Sequence, residues 1–368
     1  MKTKLYAYFF LPAIVYSIIS VALPLFLASL GYAEDKIGNL YFITTLIAAP
    51  VSIYISMHSD SVGRKILLYI TPILFLFAAA LIATKSFVLI ASAIFFVTIA
   101  TSLSTILKIS LPIEHFKKRI GEISGRFWSF EVLGGIFGTL AAGALMTYFG
   151  FANTFLITIP ISLLLIIIAL RIPFKTSIVQ QVRNFKITKQ FILMIIHFFA
   201  ANLGFGIIFA FALPLYLNKI LNLTYVQIGL AITLFSIATA AGSFLGKLSD
   251  KFNFKVVNYL SLFLTGALLF AISYSNNIIM FTILMLLSNT ALGLARPTMA
   301  HFFNEAGKTS GRDIAVISVL GSALGTTFGS LVSGQVITQL GYHALFIFGG
   351  VIVMLSVLVL YLGFGVKK

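Results

Sequence analysis

The chain has 368 residues, of which 60% are hydrophobic and only 9% are charged. An ordinary soluble domain carries about 25% charged residues, so the composition excludes that class. The formal net charge is +16, and the absence of cysteine excludes disulfides, thiolate metal sites and a cysteine nucleophile.

Apolar stretches of about 20 residues, the length that crosses a hydrocarbon core of ~30 Å, recur along the whole chain. Twelve spans leave no residues for a soluble catalytic domain, so we expect an all-α integral membrane protein and no enzyme. Spans 1 to 12 are predicted at 7–30, 38–57, 66–83, 87–110, 122–149, 152–171, 189–217, 226–246, 256–274, 278–302, 312–339 and 342–363.

The positive charge is distributed as a topology signal. If the N-terminus is cytoplasmic, only Lys36, Lys85 and Lys219 fall in outer loops, as the positive-inside rule requires. This predicts a multi-pass protein of the cell membrane with both termini in the cytoplasm, and it removes the argument for nucleic acid as a partner. The apolar run after Met1 is longer than the roughly 7–15 residues of a signal-peptide core, so we interpret it as span 1.

The two halves of the sequence repeat each other. Ala22-Leu-Pro-Leu-Phe-Leu27 returns as Ala212-Leu-Pro-Leu-Tyr-Leu217, and self-similarity at a fixed long period indicates a two-fold architecture. At an offset of 191 residues, Ile37-Gly38 matches Ile228-Gly229, and Gly134, Gly138, Gly143 and Gly150 match Gly325, Gly329, Gly334 and Gly341.

One further match has a different offset. Ser124-Gly-Arg126 and Ser310-Gly-Arg312 recur at 186 residues, which implies one extra helical turn in the second copy. The repeat predicts two pseudo-symmetric six-helix bundles, 1–171 and 189–368, joined by a cytoplasmic linker at 172–188. Six helices in each half is a layout typical of transporters.

Two charged decapeptides occupy matching loops, 56–65 between spans 2 and 3 and 246–255 between spans 8 and 9. They resemble the pattern G-x-x-x-D-[RK]-x-G-[RK]-[RK] that the major facilitator superfamily carries in both loops. Ser56, Ser61, Asn253 and Phe254 depart from that pattern. The matching residues are Asp60, Gly63, Arg64 and Lys65 in the first copy and Gly246, Asp250, Lys251 and Lys255 in the second.

The resemblance covers essentially the full length and implies that family's fold, in which two bundles alternate access. An aspartate at the inner end of span 2 could face the positive N-terminus of span 11. We therefore expect the two hairpins, together with Arg126 and Arg312, to gate the cytoplasmic side. The alternative is that these charges only fix topology.

Span 5 also resembles the exporter pattern G-x8-G-x3-G-P-x2-G-G of the same superfamily, with Thr139 and Ala142 in place of the proline and one glycine. Small residues at this spacing let helices approach closely. The alternative is tight packing without any bearing on transport direction. We expect close packing along spans 5 and 11, where the two bundles meet, at Gly134, Gly138, Gly143, Gly325, Gly329 and Gly334.

Glu131 is the only acid well inside a predicted span, ~15 Å from Gly121 at 1.5 Å per residue. An ionisable group at this depth is costly and is a functional candidate. We expect Glu131, with His197 on span 7, to couple transport to protons. The alternatives are an ion pair of Glu131 with Lys108 or Arg126, and a neutral histidine that is satisfied structurally.

In the resembled family, spans 1, 4, 7 and 10 line the cavity. Lys108 and Arg296 could attract an anion there, or could instead extend to the headgroups. The 37 phenylalanines and the single tryptophan, Trp128, are expected mostly to face lipid or fill the bundle. The predicted solute-binding residues are Tyr16, Ser20, Thr101, Thr105, Lys108, Asn202, Asn289 and Arg296.

These observations predict a secondary transporter that is most like the drug/proton-antiporter type of exporter, with a small, largely apolar or amphiphilic solute. An importing symporter or uniporter and a transport-inactive sensor or scaffold are the alternatives. We expect a monomer in the bilayer with protons as coupling ion and with neither cofactor nor metal. The sequence contains no Gly-rich phosphate-binding loop and therefore does not support ATP hydrolysis.

Overall fold

The computed structural model describes residues 2–84, 86–115, 120–172, 188–245, 248–275, 277–306 and 311–365, and within these ranges the chain is built of helices joined by turns. Helices α1 to α12 correspond to spans 1 to 12. In the first half they are Lys2–Ser29, Glu34–Val62, Lys65–Ile82, Phe87–His115, Ile120–Leu156 and Thr158–Leu170.

In the second half, two spans are composite. Span 7 comprises Lys189–Phe209 and Ala212–Lys219, and span 11 comprises Gly311–Val316, a π-helical segment Ile317–Ala323, and Leu324–Leu340. The short helix Leu248–Lys251 precedes α9. The other spans are α8, Tyr225–Phe244; α9, Phe254–Ile272; α10, Ile278–Glu305; and α12, Tyr342–Phe364.

Among the described residues, eleven helical stretches are long and apolar enough to cross a membrane. The remaining span is α6, whose helix Thr158–Leu170 has 13 residues. The helix Ile120–Leu156 breaks at Gly150, with φ 73° and ψ 173°, so residues 151–156 lead into α6 and extend it. The predicted all-α fold with twelve helices is confirmed.

We call the face where α1 begins and α12 ends the terminal face, and the opposite face the distal face. Within the first half α1 packs on α5, and α3 packs on α4 and α6. Within the second half α7 packs on α11 and α12, and α9 packs on α10 and α12. Between the halves, α5 packs on α8 and α2 packs on α11.

Four of the six predicted packing glycines lie within a half. A Cβ added at Gly138 would lie 2.6 Å from the Ile14 carbonyl oxygen of α1, and Gly134 faces the same helix. Gly325 and Gly329 face α7 in the same manner. The expectation that all six lie where the bundles meet is therefore wrong for these four, because the spacing of small residues predicts closeness but not the partner helix.

Gly143 and Gly334 do lie between the halves, near the distal face. A Cβ added at Gly143 would lie 3.2 Å from the Cα of Gly229 on α8, and one added at Gly38 on α2 would lie 3.4 Å from the Cα of Gly334 on α11. Gly38 and Gly229 are equivalent in the repeat, as are Gly143 and Gly334. The distal seam thus uses the same glycine contact twice.

Candidate functional site

A cavity of about 560 Å³ lies between the two halves and is lined mainly by α1, α4 and α5 on one side and by α7, α8 and α10 on the other. All ten residues that the sequence predicts for solute binding or proton coupling line it. They are Tyr16, Ser20, Thr101, Thr105, Lys108, Glu131, His197, Asn202, Asn289 and Arg296.

The cavity contains an ion pair between α4 and α5. The Lys108 ammonium donates a hydrogen bond to Oε1 of Glu131, and the Lys108 side chain is only 2% exposed. Oε2 of Glu131 is buried without a hydrogen-bond partner in the described part of the chain. A buried cation at this depth requires a partner. Lys108 therefore does not extend to the headgroups. The structure contains the ion pair of Glu131 with Lys108 that we considered as an alternative.

The single tryptophan lies against both cavity cations. The Lys108 Nζ is 4.0 Å from the centre of the Trp128 ring, and the Arg296 Cζ of the other half is 5.4 Å from it. Cations at these distances are attracted to the negative face of an aromatic ring. The expectation that aromatic residues mostly face lipid or fill the bundle missed Trp128, and Arg296 does not reach the headgroups.

Arg296 is the cavity cation that has no ion-pair partner among the described residues. Among the described residues it forms neither an ion pair nor a hydrogen bond, although Glu131 and Tyr16 interact with it electrostatically. Of the described lining residues, Lys108 and Arg296 carry two positive charges against the one carboxylate of Glu131. The cavity therefore has an excess of one positive charge when Glu131 is ionised and of two when it is protonated.

The remaining walls are apolar and aromatic. Phe75, Phe198, Phe205, Phe209 and Phe235 line the cavity, with hydroxyls on α1 and α4. Apolar walls with a few convergent polar groups are typical of small-molecule sites. Asn289 is engaged with its own half, since its Oδ1 accepts a hydrogen bond from Thr239 at 3.1 Å.

His197 is held by the helix opposite it. Its side chain is 2% exposed, and Nδ1 donates a hydrogen bond to the Ser356 carbonyl of α12 at 2.8 Å. Since the acceptor is a carbonyl, the Nδ1 tautomer is fixed and the ring ties α7 to α12. The alternative of a structurally satisfied histidine describes this geometry.

The first charged hairpin folds as its sequence requires. Gly63 is buried with φ 103° and ψ 152°, a conformation that only glycine adopts readily. The Arg64 side chain is 3% exposed, and its Nη1 donates to the Ser59 Oγ at 2.7 Å. The Lys65 ammonium lies 5.5 Å from the centre of the Tyr69 ring.

The structure describes some of the other predicted gating residues. Arg126 pairs with Glu122 of its own helix at 2.7 Å, and Lys251 is exposed at the end of its short helix. At the terminal face, helix α2 contacts Gly311–Val316, the first segment of α11. Outside the described part lie Gly246, residues 173–187 of the linker, and the side chains of Asp60, Asp250 and Arg312.

Near the distal face the two halves are joined by a polar contact that sequence reasoning missed. Oε1 of Glu34 at the start of α2 accepts hydrogen bonds from Lys219 at 2.6 Å and from the Tyr342 hydroxyl at 3.0 Å. Lys219 and Tyr342 both belong to the second half. Their separation from Glu34 in the sequence left no local signal from which to predict the contact.

The sequence profile of the Major Facilitator Superfamily matches residues 5–323 and again 198–367. The chain belongs to the major facilitator superfamily. The members of this superfamily are transporters rather than enzymes.

Two relatives are similar to part of this superfamily member. The 4-hydroxybenzoate transporter PcaK of Acinetobacter baylyi is 32% identical over 106 residues, which are 28% of this chain and 23% of the relative. The transporter of the same name from Pseudomonas aeruginosa is 30% identical over 116 residues, 31% of this chain and 26% of the relative. The matching segment thus spans about a quarter of the length of these relatives.

The fold also matches a solved structure. The crystal structure of the human organic anion transporter MFSD10 (TETRAN) superposes on this chain with a TM-score of 0.70 at 15% sequence identity. The superposition covers 98% of this chain and 99% of that chain. At this identity the match establishes the fold alone.

Proposed function

We propose that the chain is a secondary transporter that carries a small organic anion with an apolar, aromatic body through the central cavity. The observation that carries the proposal is the unmatched guanidinium of Arg296 beside the Lys108–Glu131 pair, in a cavity with aromatic walls. An uncompensated cation inside the membrane is costly, and a bound anion offsets that cost. The solute is amphiphilic rather than wholly apolar.

The names of similar proteins support an anion. The PcaK relatives are named as transporters of 4-hydroxybenzoate, which is an aromatic carboxylate, and MFSD10 is named as an organic anion transporter. A carboxylate between Lys108 and Arg296 would have its ring among the phenylalanines of the cavity wall.

Glu131 is the proposed proton site. While Glu131 is ionised, it forms an ion pair with Lys108. When Glu131 takes up a proton, this ion pair is lost and the Lys108 ammonium can bind the anionic solute. Proton and anion then bind together, which favours symport and therefore uptake over the antiport of drug/proton exporters. The glycine resemblance of span 5 is the argument for export, and it weakens because Gly134 and Gly138 pack within their own half.

The remaining features follow the charge distribution and the repeat. The terminal face is proposed to be cytoplasmic in the cell membrane, with the chain as a monomer. Residues 1–171 and 189–368 are proposed to move as two bundles, with the linker 172–188 between them. In the state described, α2 meets α11 and α5 meets α8 near the distal face.

Proteoliposomes test this proposal. The purified protein is assayed for counterflow of radiolabelled 4-hydroxybenzoate and benzoate, of neutral benzamide and of cationic benzylamine, with protein-free liposomes as the control for passive entry. We expect exchange of the anions, and accumulation when the outside is acidic. Accumulation with an acidic interior would support antiport. Exchange of benzamide or benzylamine but of neither acid would overturn the anion assignment, and binding without flux would favour a sensor.

A further inference from the structure

Trp128 is the side chain on which the cationic end of the cavity is assembled. It lies on α5 of the first half, and its ring faces Lys108 of α4 and Arg296 of α10. Lys108 and Trp128 are the lining residues of α4 and α5 nearest the terminal face. The two cations and the ring thus lie in the part of the cavity that is nearer to that face, where helices of both halves meet.

Packing alone does not account for a tryptophan here. Its Nε1 atom is buried and, in the described part of the chain, has no hydrogen-bond acceptor. A buried donor without a partner is unfavourable, so a phenylalanine would fill space without that cost. What tryptophan adds is the aromatic face that binds a cation best.

An aromatic face holds a cation without cancelling its charge. A carboxylate in the place of the ring would neutralise Arg296, whereas the ring leaves its full charge and its donors available. Glu131 already interacts with Arg296 electrostatically and is bonded to Lys108. Without Trp128, Arg296 would be free to move onto Glu131, and its guanidinium would then be paired with that carboxylate instead of being available to the anion.

We propose that Trp128 is a positioning residue that keeps Arg296 apart from Glu131 and ready to bind the carboxylate of the solute. This inference rests on the proposed function, because it needs an anion in the cavity. Trp128 acts through Arg296, so removing the ring weakens anion binding while the step that moves the bound solute is affected less.

The test is a double-mutant cycle in proteoliposomes with radiolabelled benzoate as the probe in counterflow. Trp128→Leu is expected to raise KM about tenfold while kcat changes less than threefold, and Trp128→Phe is expected to raise KM only two- to fourfold. Arg296→Ala should raise KM at least as much as Trp128→Leu. In the Arg296→Ala background, Trp128→Leu should change KM less than twofold. Phe137→Leu is the matched control and should change KM less than twofold, because Phe137 lies on the same helix as Trp128 but is 57% exposed and is not among the described lining residues.

Each other outcome counts against a defined claim. If wild type exchanges benzoate and Arg296→Ala raises KM but Trp128→Leu does not, the positioning role is wrong while the proposed function stands. If the KM effects of the two substitutions multiply, or if Trp128→Leu lowers kcat alone, Trp128 does not act through Arg296. If wild type exchanges none of the anions, the proposed function fails, and the positioning role with it. If Trp128→Leu does not fold, Trp128→Phe in the same cycle decides.

Discussion

Lys219 donates a hydrogen bond to Glu34 at 2.6 Å, although the two residues lie 185 positions apart and belong to different halves. The Tyr342 hydroxyl donates to the same carboxylate oxygen. These bonds exist only while the distal ends of the halves are together. They therefore stabilise the state in which the cavity is closed toward that face.

We expect Glu34→Gln to favour opening at the distal face. Because Lys219 is 42% exposed, the lost pair is worth at most about 1 kcal/mol, or roughly a fivefold change in the open population. The chain has no cysteine, so a single Ser20→Cys in the cavity can be labelled from the distal side without further changes. Labelling should become faster.

Two controls make this prediction specific. Asp35→Asn neutralises the neighbouring acid in the first turn of α2, which forms no ion pair among the described residues, and should leave labelling unchanged. The exchange Glu34→Lys with Lys219→Glu should restore the wild-type rate. Unchanged labelling in Glu34→Gln would mean that the pair does not contribute to closure.

Glu131→Gln mimics the protonated carboxyl and should abolish accumulation driven by a pH gradient while counterflow persists. His197→Ala is the matched comparison inside the same cavity. It removes the hydrogen bond between α7 and α12, which costs about 1 kcal/mol in stability, and it should leave coupling intact. Gradient-driven flux and thermal unfolding of both variants distinguish these effects. Equal accumulation by Glu131→Gln and wild type would eliminate Glu131 as the coupling site.

Substitutions at the glycines should separate gating from folding. Gly143→Ala places a Cβ 2.6 Å from the Tyr225 carbonyl oxygen across the seam, so we expect impaired distal closure, faster labelling of the cavity and slower transport. Gly363→Ala is the control, because the nearest atoms that its Cβ would meet belong to the Leu193 side chain of the same half, at 3.2 Å.

Bulky replacements within one half should act differently. Gly138→Leu and Gly329→Leu force α1 from α5 and α7 from α11, so we expect lower yield and stability, and reduced transport for that reason. Thermal unfolding in detergent is the measurement. Wild-type stability with blocked transport would instead mean that these positions take part in the movement between the two bundles.

Asp60→Asn and Asp250→Asn are expected to impair conformational cycling more than folding, because they change charge at the terminal face and leave packing unaltered. The contact between α2 and Gly311–Val316 motivates the first of them. Labelling of cysteines introduced at both mouths of the cavity should shift toward the state that is open at the terminal face. Wild-type labelling at both mouths together with wild-type transport would exclude a gate.

Much of this architecture is readable in the sequence because the bilayer demands it. A helix must offer about 20 apolar residues to cross, so the spans stand out, and polar residues such as Glu131 and Asn202 stand out within them. Their common cavity follows once the family layout is recognised.

The features that the sequence does not predict depend on which helices are in contact with each other. Trp128 has no pattern that distinguishes a cation-binding ring from a packing ring. The partners of Gly138 and Gly143 lie on different helices, although the two glycines are five residues apart on one. Glu34 and Lys219 meet only because two helices from different halves end at the same face.

The π-helical segment of α11 lies where the two copies of the repeat differ in length. Arg126 and Arg312 are 186 residues apart, whereas Gly134 and Gly325 are 191 apart, so the second copy holds 191 − 186 = 5 more residues in this interval. Ile317–Ala323 lies inside it, and a π-turn accommodates more residues than an α-turn. The second copy is thus longer in this interval by about one helical turn and one residue, and the π-helical segment takes up part of that difference. Gly334 nevertheless contacts α2 as Gly143 contacts α8. The repeated glycine contact between the halves is therefore present although α5 and α11 differ in length.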